Sequence, residues 1–486
     1  MTNFVVQFHL ETEPFQEVIL NKRLEIGRQI YNALLRVTHN RYEEMLHTKL
    51  YRNLTAEYQK EGSDKKALNK QLFDLRKAYG LEEYSFHSDV KAMQKHFKKN
   101  IDSFTAQKIA SRLWRAHEKL IFGNGETIHY KKYGEFNSLE GKSNGTGIRL
   151  VNGSLLWNGL TIPVAVDYQN PYEAAAVGND IAYCRIVRKY VRNKYKYYVQ
   201  VVFKGDTPQK PGKTTGLVKH PLGCGDVGLD IGTQTVAVSS ADDVKIYELA
   251  DRCQNIENEK RRLQRRMDRS RRATNPDNFN PDGTVKKQGS KKVKWYRSKR
   301  YIKARSRLKE ICRKKADIRK LQHEILANYI LSLGCKVYVE TMNFKGLQKR
   351  ARETDKNGNG RFKRKKRFGK SIANRAPAMF LNILDRKLRR RGTQLNRVNT
   401  WSVKASQYNH TTDSNTKKKL SQRWNIINGD KVQRDMYSAF LIMNANRDLN
   451  SINKDKCNER YANFLHLHNK EVSRLSGQKN LSSIAI

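Results

Sequence analysis

Apolar positions change their period several times along the chain, and each change marks a new kind of element. Phe4, Val6, Phe8 and Leu10 recur every second residue, the period of a strand. From Phe15 the period lengthens. Leu20, Leu24, Gly27, Tyr31 and Leu34 recur every three or four residues, and helical patterning runs on to about Phe122 with breaks near 61–64 and at Gly80. From Thr127 to about Gly205 the texture is β: short runs of Val, Ile, Tyr and Thr between Gly- and Asn-rich turns. The clearest piece is a hairpin of residues 181–188 and 194–203 turning near Arg192 and Asn193, and the first strand is expected to join its sheet while the helices loop out between. Residues 206–219, with Pro208, Pro211, Gly212 and Gly216, read as a linker.

Beyond the linker the order of elements carries information. Strands are expected at 227–231, 235–240 and 244–248, close enough for an antiparallel meander. A long helical region follows, then a strand at 336–340, a basic loop, a helix from Pro377 to before Gly392, a strand near 393–399 and a last helix from about 432. That is the order of an RNase H-like fold. The region 249–333 is insertion-sized and reads as a helical hairpin around a loop at 275–283. Leu249, Cys253, Ile256, Leu263 and Met267 form the stripe of one arm, and Leu308, Ile311, Ile318, Leu321 and Ile325 that of the other.

Length and charge narrow the class. With 486 residues the chain is expected to be multidomain. Lys and Arg number 96 against 47 Asp and Glu, a formal net charge of +49, which calls for a polyanionic partner. No apolar run approaches the ~18 residues of a membrane span and no basic amphipathic helix carries a bulky aromatic face, so nucleic acid, not a membrane, is the expected partner. Basic clusters flank the hairpin loop: Arg261, Arg262, Arg265 and Arg266 on one side, then Lys292, Lys294, Arg297, Arg300 and Arg305 with Trp295 and Tyr296 interleaved. Acids are sparse there, unlike on an ordinary solvated face. Six scattered cysteines without a CxxC pair, and no secretory signal, point to a reducing cytoplasm. Cys253 and Cys312 on helical stripes and Cys335 before a strand read as core thiols.

Three acids at the ends of apolar elements stand out. Asp230 interrupts an apolar strand, where an unpaired charge is costly. Glu340 ends another strand, and Asp435 opens the last helix beside the small Ser438 and Ala439, read as leaving room for a metal. Carboxylate oxygens suit Mg2+, and two such ions about 3.5 to 4 Å apart can hold both the attacking and leaving oxygens of a phosphodiester. Asp448 is the rival to Asp435 but reads as a cap, and Asp226 reads as a solvent-exposed acid.

At these points the chain resembles the TnpB family of transposon-encoded RNA-guided nucleases and the compact type V CRISPR effectors related to it. The matching text is Gly228-Leu-Asp-Ile-Gly232, Val337-Tyr-Val-Glu-Thr-Met-Asn-Phe-Lys-Gly-Leu347 and Gln433-Arg-Asp-Met-Tyr-Ser-Ala439. These look like the family's three RuvC motifs, with Asp230, Glu340 and Asp435 in the catalytic, metal-binding places. The resemblance implies a multidomain α/β protein. A wedge strand at 1–14, a helical recognition domain at 15–124 and a β-barrel-like wedge domain at 125–220 would precede an RNase H-like RuvC domain at 221–400. The helical hairpin at 250–333 would be an insertion in it, followed by a target-binding segment at 401–430 and a RuvC C-terminal part at 431–486.

The same resemblance implies two Mg2+ ions, a guide RNA, a double-stranded DNA target cut beside a short flanking motif, and action on the nucleoid. A homodimer is left open by the sequence. Where the family has a four-cysteine zinc knuckle, this chain has Asn409, Thr412, Asn425 and Asn428, so no zinc is expected. His410 alone cannot replace the set, and packing of Trp401 and Trp424 is expected to hold the segment. Arg423 resembles a family arginine near the scissile phosphate. The alternatives are an RNA-guided repressor that does not cut, and a guide-free nucleic-acid-binding protein.

Overall fold

The computed structural model describes residues 2–123, 125–212, 216–286, 293–349, 358–360, 368–419 and 422–477. Its chain divides into two units, Met1–Pro211 and Gly212–Ile486.

In the first unit, β1 (Asn3–Leu10) buries Phe4, Val6, Phe8 and Leu10 on one face, as its alternation requires. Five helices follow: α1 (Pro14–His47), α2 (Lys49–Tyr58), α3 (Lys65–Ala78), α4 (Glu83–His96) and α5 (Ser103–Ile121). Side chains set their limits. Pro14 occupies the first turn of α1; the Thr48 hydroxyl accepts from the Tyr51 amide at 3.1 Å, starting α2; and Asp64 accepts from Lys66 and Ala67 to start α3. The break at Thr48 has no apolar signature, because the stripe resumes within one turn. Gly27 is the small member of the α1 stripe for a packing reason: a Cβ there would meet Leu139 at 2.9 Å and Phe136 at 3.0 Å.

The strands of this unit are β2 (Ser138–Glu140), β3 (Arg149–Val151), β4 (Ser154–Trp157), β5 (Leu160–Ala165), and, after helix α6 (Pro171–Val177), β6 (Ile181–Val191) and β7 (Lys194–Lys204). They form one antiparallel sheet in the order β2-β6-β7-β1-β5-β4-β3, so the first strand does join it, between β7 and β5. Arg192 and Asn193, both with positive φ (49° and 66°), make the two-residue turn between β6 and β7.

The second unit opens with β8 (Asp226–Ile231), β9 (Thr235–Ser239) and β10 (Val244–Glu248), then the hairpin helices α7 (Cys253–Thr274) and α8 (Lys299–Leu333). Next come β11 (Lys336–Glu340), α9 (Phe344–Leu347), α10 (Gly369–Arg375), α11 (Pro377–Arg389), β12 (Asn396–Val398) and α12 (Thr400–Val403). The remainder is β13 (Tyr408–Asn409), β14 (Ser414–Asn415), β15 (Trp424–Ile427), β16 (Asp430–Gln433), α13 (Arg434–Met443) and α14 (Lys454–Ser476). Five strands make a sheet in the order β10-β9-β8-β11-β12, with β8 to β10 an antiparallel meander and β11 and β12 parallel to β8. One face is covered by α8 and α11 over Leu229, Ile231, Val337 and Val339; the other by α13 and α14, whose Phe440 and Phe464 stack at 4.5 Å.

Several sequence expectations give way here. Val432 and Gln433 belong to β16; the helix expected from about 432 starts at Arg434, and it is not the last, because α14 follows it. Leu321 and Ile325 are exposed (60% and 59%), not core. Helix α8 changes partner along its length: Ala304, Leu308 and Ile311 pack on Leu263 and Met267 of α7, whereas further on His323, Ala327, Ile330 and Leu331 turn to the sheet and α11. A stripe extended in one phase therefore leaves the buried face. Cys312 is exposed, while Cys253 is buried.

Strand β10 is a sheet edge, and one of its amides is closed by a side chain. The Ile246 N–H donates to Glu471 Oε1 of α14 at 3.1 Å, and Arg474 grips the same carboxylate at 2.6 and 2.7 Å. Among the described residues no helix is long and apolar enough to cross a membrane.

Candidate catalytic and nucleic-acid-binding site

Strand register brings two of the acids to one face. In the parallel pair β8–β11, Tyr338 lies opposite Gly228 and Val339 opposite Leu229, so the next position sets Glu340 opposite Asp230. Side chains alternate along a strand, and Leu229 and Val339 belong to the α8–α11 core. Asp230 and Glu340 accordingly project to the opposite side, where α13 packs. Asp435 sits in the first turn of α13. Helix and strand approach closely because Gly228 has no side chain: a Cβ there would clash with the Ala439 carbonyl and stand 2.8 Å from the Met443 Cβ. Ser438 and Ala439 are buried at this contact, with the Ser438 hydroxyl donating to the Arg434 carbonyl at 3.0 Å. A small residue at Ala439 lets the backbone of α13 meet β8.

Burial and neighbouring charge act on the two strand acids in the same direction. The Asp230 carboxyl is held well above the usual carboxylate range, first by burial, then by the charges of Asp435 and Glu340, with Arg434 opposing. Glu340 is raised as well, by burial, against a hydrogen bond from the Ala405 amide. Asp435 instead has cationic neighbours, Arg434 Nε at 3.3 Å and Arg423 Nη1 at 3.6 Å. Arg423 is thus placed at the third acid. Arg434 was missed in the sequence, although its place beside Asp435 at the start of a helix was a readable signal.

Hard oxygen donors are what Mg2+ takes, and the cost of keeping Asp230 ionised beside two other acids is what a cation would offset, so the donor set fits the ion in kind. Among the described residues no group of three or more His, Cys, Asp or Glu side chains is drawn into a metal-holding cluster.

The rival acids have structural partners. Asp448 accepts from the Asn450 amide at 3.1 Å and from the Ser451 hydroxyl, closing the turn after α13. Asp226 is half-buried and paired with Arg460 at 3.2 Å, contrary to its reading as a solvated acid; its partner lies 234 residues away.

The segment 401–430 is held differently from its expectation. Trp401 is 86% exposed and packs nothing down, because α12 ends at Val403 and it is Val403 that turns inward. Trp424 is half-buried, edge-on to His468 and under the Lys431 ammonium at 4.8 Å. The main anchor is His410, fully enclosed, with Nδ1 2.6 Å from the Tyr437 hydroxyl and its ring against Phe440 and Tyr461. Burial, with Lys454 adding to it, lowers the His410 pKa to about 4, so it packs as a neutral ring. At the family's cysteine positions, Asn409 accepts from the Thr411 amide and hydroxyl, and Asn428, with φ of 50°, makes the β15–β16 turn with Gly429.

On the hairpin, Arg261, Arg262, Arg265, Arg266, Lys294, Tyr296, Arg297, Arg300 and Arg305 are exposed. Trp295 is half-buried in a local aromatic contact, and Lys292 lies outside the described residues.

No protein-family model and no curated protein matches this sequence. Among solved structures the chain is similar to a Cas12f1–sgRNA–target DNA complex (TM-score 0.41, 9% identity, covering 90% of this chain and 98% of that one). It is also similar to a CRISPR–Cas12f ternary complex (TM-score 0.22, 13% identity, 89% and 86%) and to a Cas12i(E894A)–crRNA–dsDNA complex (TM-score 0.24, 9% identity, 93% and 64%).

Proposed function

We propose that this protein is an RNA-guided DNA endonuclease with a single RuvC-type site in an RNase H-like domain, cutting double-stranded DNA beside a short flanking motif. The observation that carries the reading is the placement of Asp230 and Glu340 on adjacent parallel strands, with Asp435 in the first turn of the helix packed against them, three acids far apart in sequence. Net charge of +49 supports a nucleic-acid partner.

The three carboxylates would hold Mg2+, which when bound would activate water and stabilise charge on a phosphodiester. The chain's own residues do the rest. The Arg423 fork, 3.6 Å from Asp435, would bind a non-bridging phosphate oxygen. The exposed hairpin arginines would grip the backbone of a guide–target hybrid, while base pairing supplies sequence recognition.

The test is to express the protein with its native flanking DNA, sequence the RNA that co-purifies, and programme that RNA against plasmids with randomised flanks. Discrete cleavage beside one flank, lost in Asp230→Ala with binding retained, supports the reading. Guided binding without cleavage in Mg2+ or Mn2+ would favour a non-cutting RNA-guided binder. The observation on that side is that Asp435 is engaged by two arginines.

A further inference from the structure

The tip of the α7–α8 hairpin is built around Asn275, which is 5% exposed. Its carboxamide oxygen accepts from the Tyr296 amide at 2.7 Å, and its nitrogen donates to the Tyr296 carbonyl at 3.0 Å and the Arg271 carbonyl at 2.9 Å. On one side, Asn278 Nδ2 donates to the Lys294 carbonyl at 2.7 Å; on the other, the hydroxyls of Ser270 and Ser298 meet at 2.7 Å. The backbone from 294 to 298 is therefore fastened in the middle and near both ends.

The two aromatic residues on this segment have opposite surroundings. Trp295 lies edge-on to Phe279, with ring centroids 5.6 Å apart, and the Arg271 guanidinium sits 5.0 Å from its ring and 5.7 Å from that of Phe279. Tyr296 points outward and is 70% exposed, among exposed Lys294, Arg297 and Arg300. An incidental surface tyrosine needs no clamp on both sides of its own backbone. A platform for a nucleobase does, since a backbone fixed beforehand leaves only the side-chain torsions to be ordered on stacking, and the nearby cations draw in the phosphates.

We propose that Tyr296 is a base-stacking residue, its ring lying against an unpaired nucleobase of a strand whose phosphates Lys294, Arg297 and Arg300 attract. Trp295 is a positioning residue that acts through Phe279 and Arg271. The inference rests on the nucleic-acid half of the reading above and not on cleavage, so it is tested in EDTA, where no cutting can occur.

The full chain is titrated with single-stranded RNA and DNA oligonucleotides carrying 2-aminopurine, whose fluorescence is quenched by stacking. Wild type and Tyr296→Phe should quench. Tyr296→Ala should lose the quenching and about tenfold in affinity, with the salt dependence of binding and the melting temperature unchanged. Arg297→Gln should keep the quenching and lower the salt slope by about 0.7. Quenching with RNA alone assigns the platform to the guide, and with DNA alone to a displaced strand; either supports the proposal. Wild-type quenching and affinity in Tyr296→Ala, equal loss in Tyr296→Phe, or no quenching by wild type in either arm would overturn it.

Discussion

Gly228 of β8 faces the backbone of α13 so closely that a Cβ on it would stand 2.5 Å from the Met443 amide nitrogen and inside the shell of the Ala439 carbonyl oxygen. This contact fixes how near the helix that carries Asp435 comes to the strand that carries Asp230. Gly228→Ala should therefore do two things at once. It should cost about 1 to 3 kcal/mol through overpacking, read as a lower melting temperature, and move Asp435 away from Asp230, read as lost cleavage at temperatures where the protein is still folded. Full cleavage by a destabilised Gly228→Ala protein would separate the helix position from the chemistry.

Asp230 is half-buried beside two other acids, so its charge opposes the fold it belongs to. Asp230→Asn removes that repulsion and keeps the shape. The melting temperature in metal-free buffer is expected to rise by a few degrees while cleavage disappears, as when strain is stored at a functional site. A fall in melting temperature would mean that the carboxylate is instead a structural acceptor.

Enclosed histidines make stability depend on pH, and two of them, His410 and His117, are shifted furthest. Burial lowers His410 to about 4, with Lys454 adding to it, and His117 to about 4, with His39 adding to it. Both values lie below the ~6.5 of an unfolded histidine, so the unfolded chain takes up protons that the fold refuses. Stability is full above about pH 6.5 and falls as the pH drops toward 4, by up to ~1.4 kcal/mol per pH unit for each ring. His410→Phe should flatten the pH dependence of melting between those limits. An unchanged slope in both His410→Phe and His117→Phe would rule the two rings out as its source.

The exposed arginines of α7 are expected to act on affinity through salt alone. Replacing Arg265 and Arg266 together by Gln should lower the slope of log K against log salt by about 2 for duplex DNA, with melting unchanged. A slope equal to that of wild type would place the phosphates elsewhere.

Trp401 and Trp424 separate two roles that composition cannot. Trp401→Ala, at a position 86% exposed, should leave the melting temperature within a degree or so, whereas Trp424→Ala removes a ring packed on His468 and beneath Lys431 and should lower it measurably. The reverse order would mean that the segment is held through α12.

What the sequence displayed was periodicity and order. The alternation from Phe4 to Leu10, the Arg192–Asn193 turn, and the strands carrying Asp230 and Glu340 were visible because each is set by neighbours within a few residues. What it concealed depends on a partner distant in the chain. Leu321 and Ile325 continue an apolar stripe, but nothing local announces that α8 trades α7 for the sheet near Lys315. Asp226 looks like any acid before a strand until Arg460 arrives from α14. Ala439 was visible as small, yet only the tertiary contact shows its carbonyl against Gly228. Trp401 failed for the converse reason: a large apolar residue need not be inside when a neighbour, Val403, fills the place.

The carboxylate of Glu471, tied to Arg474 and accepting from Ile246, has a meaning beyond the helix it anchors. A bare border strand is a template on which a foreign chain can zip itself, and plugging one amide with a charged group spoils that template. Stripping away α14 would thus do more than loosen a core. It would uncover a sticky margin, and the shortened protein would be expected to polymerise before it melted.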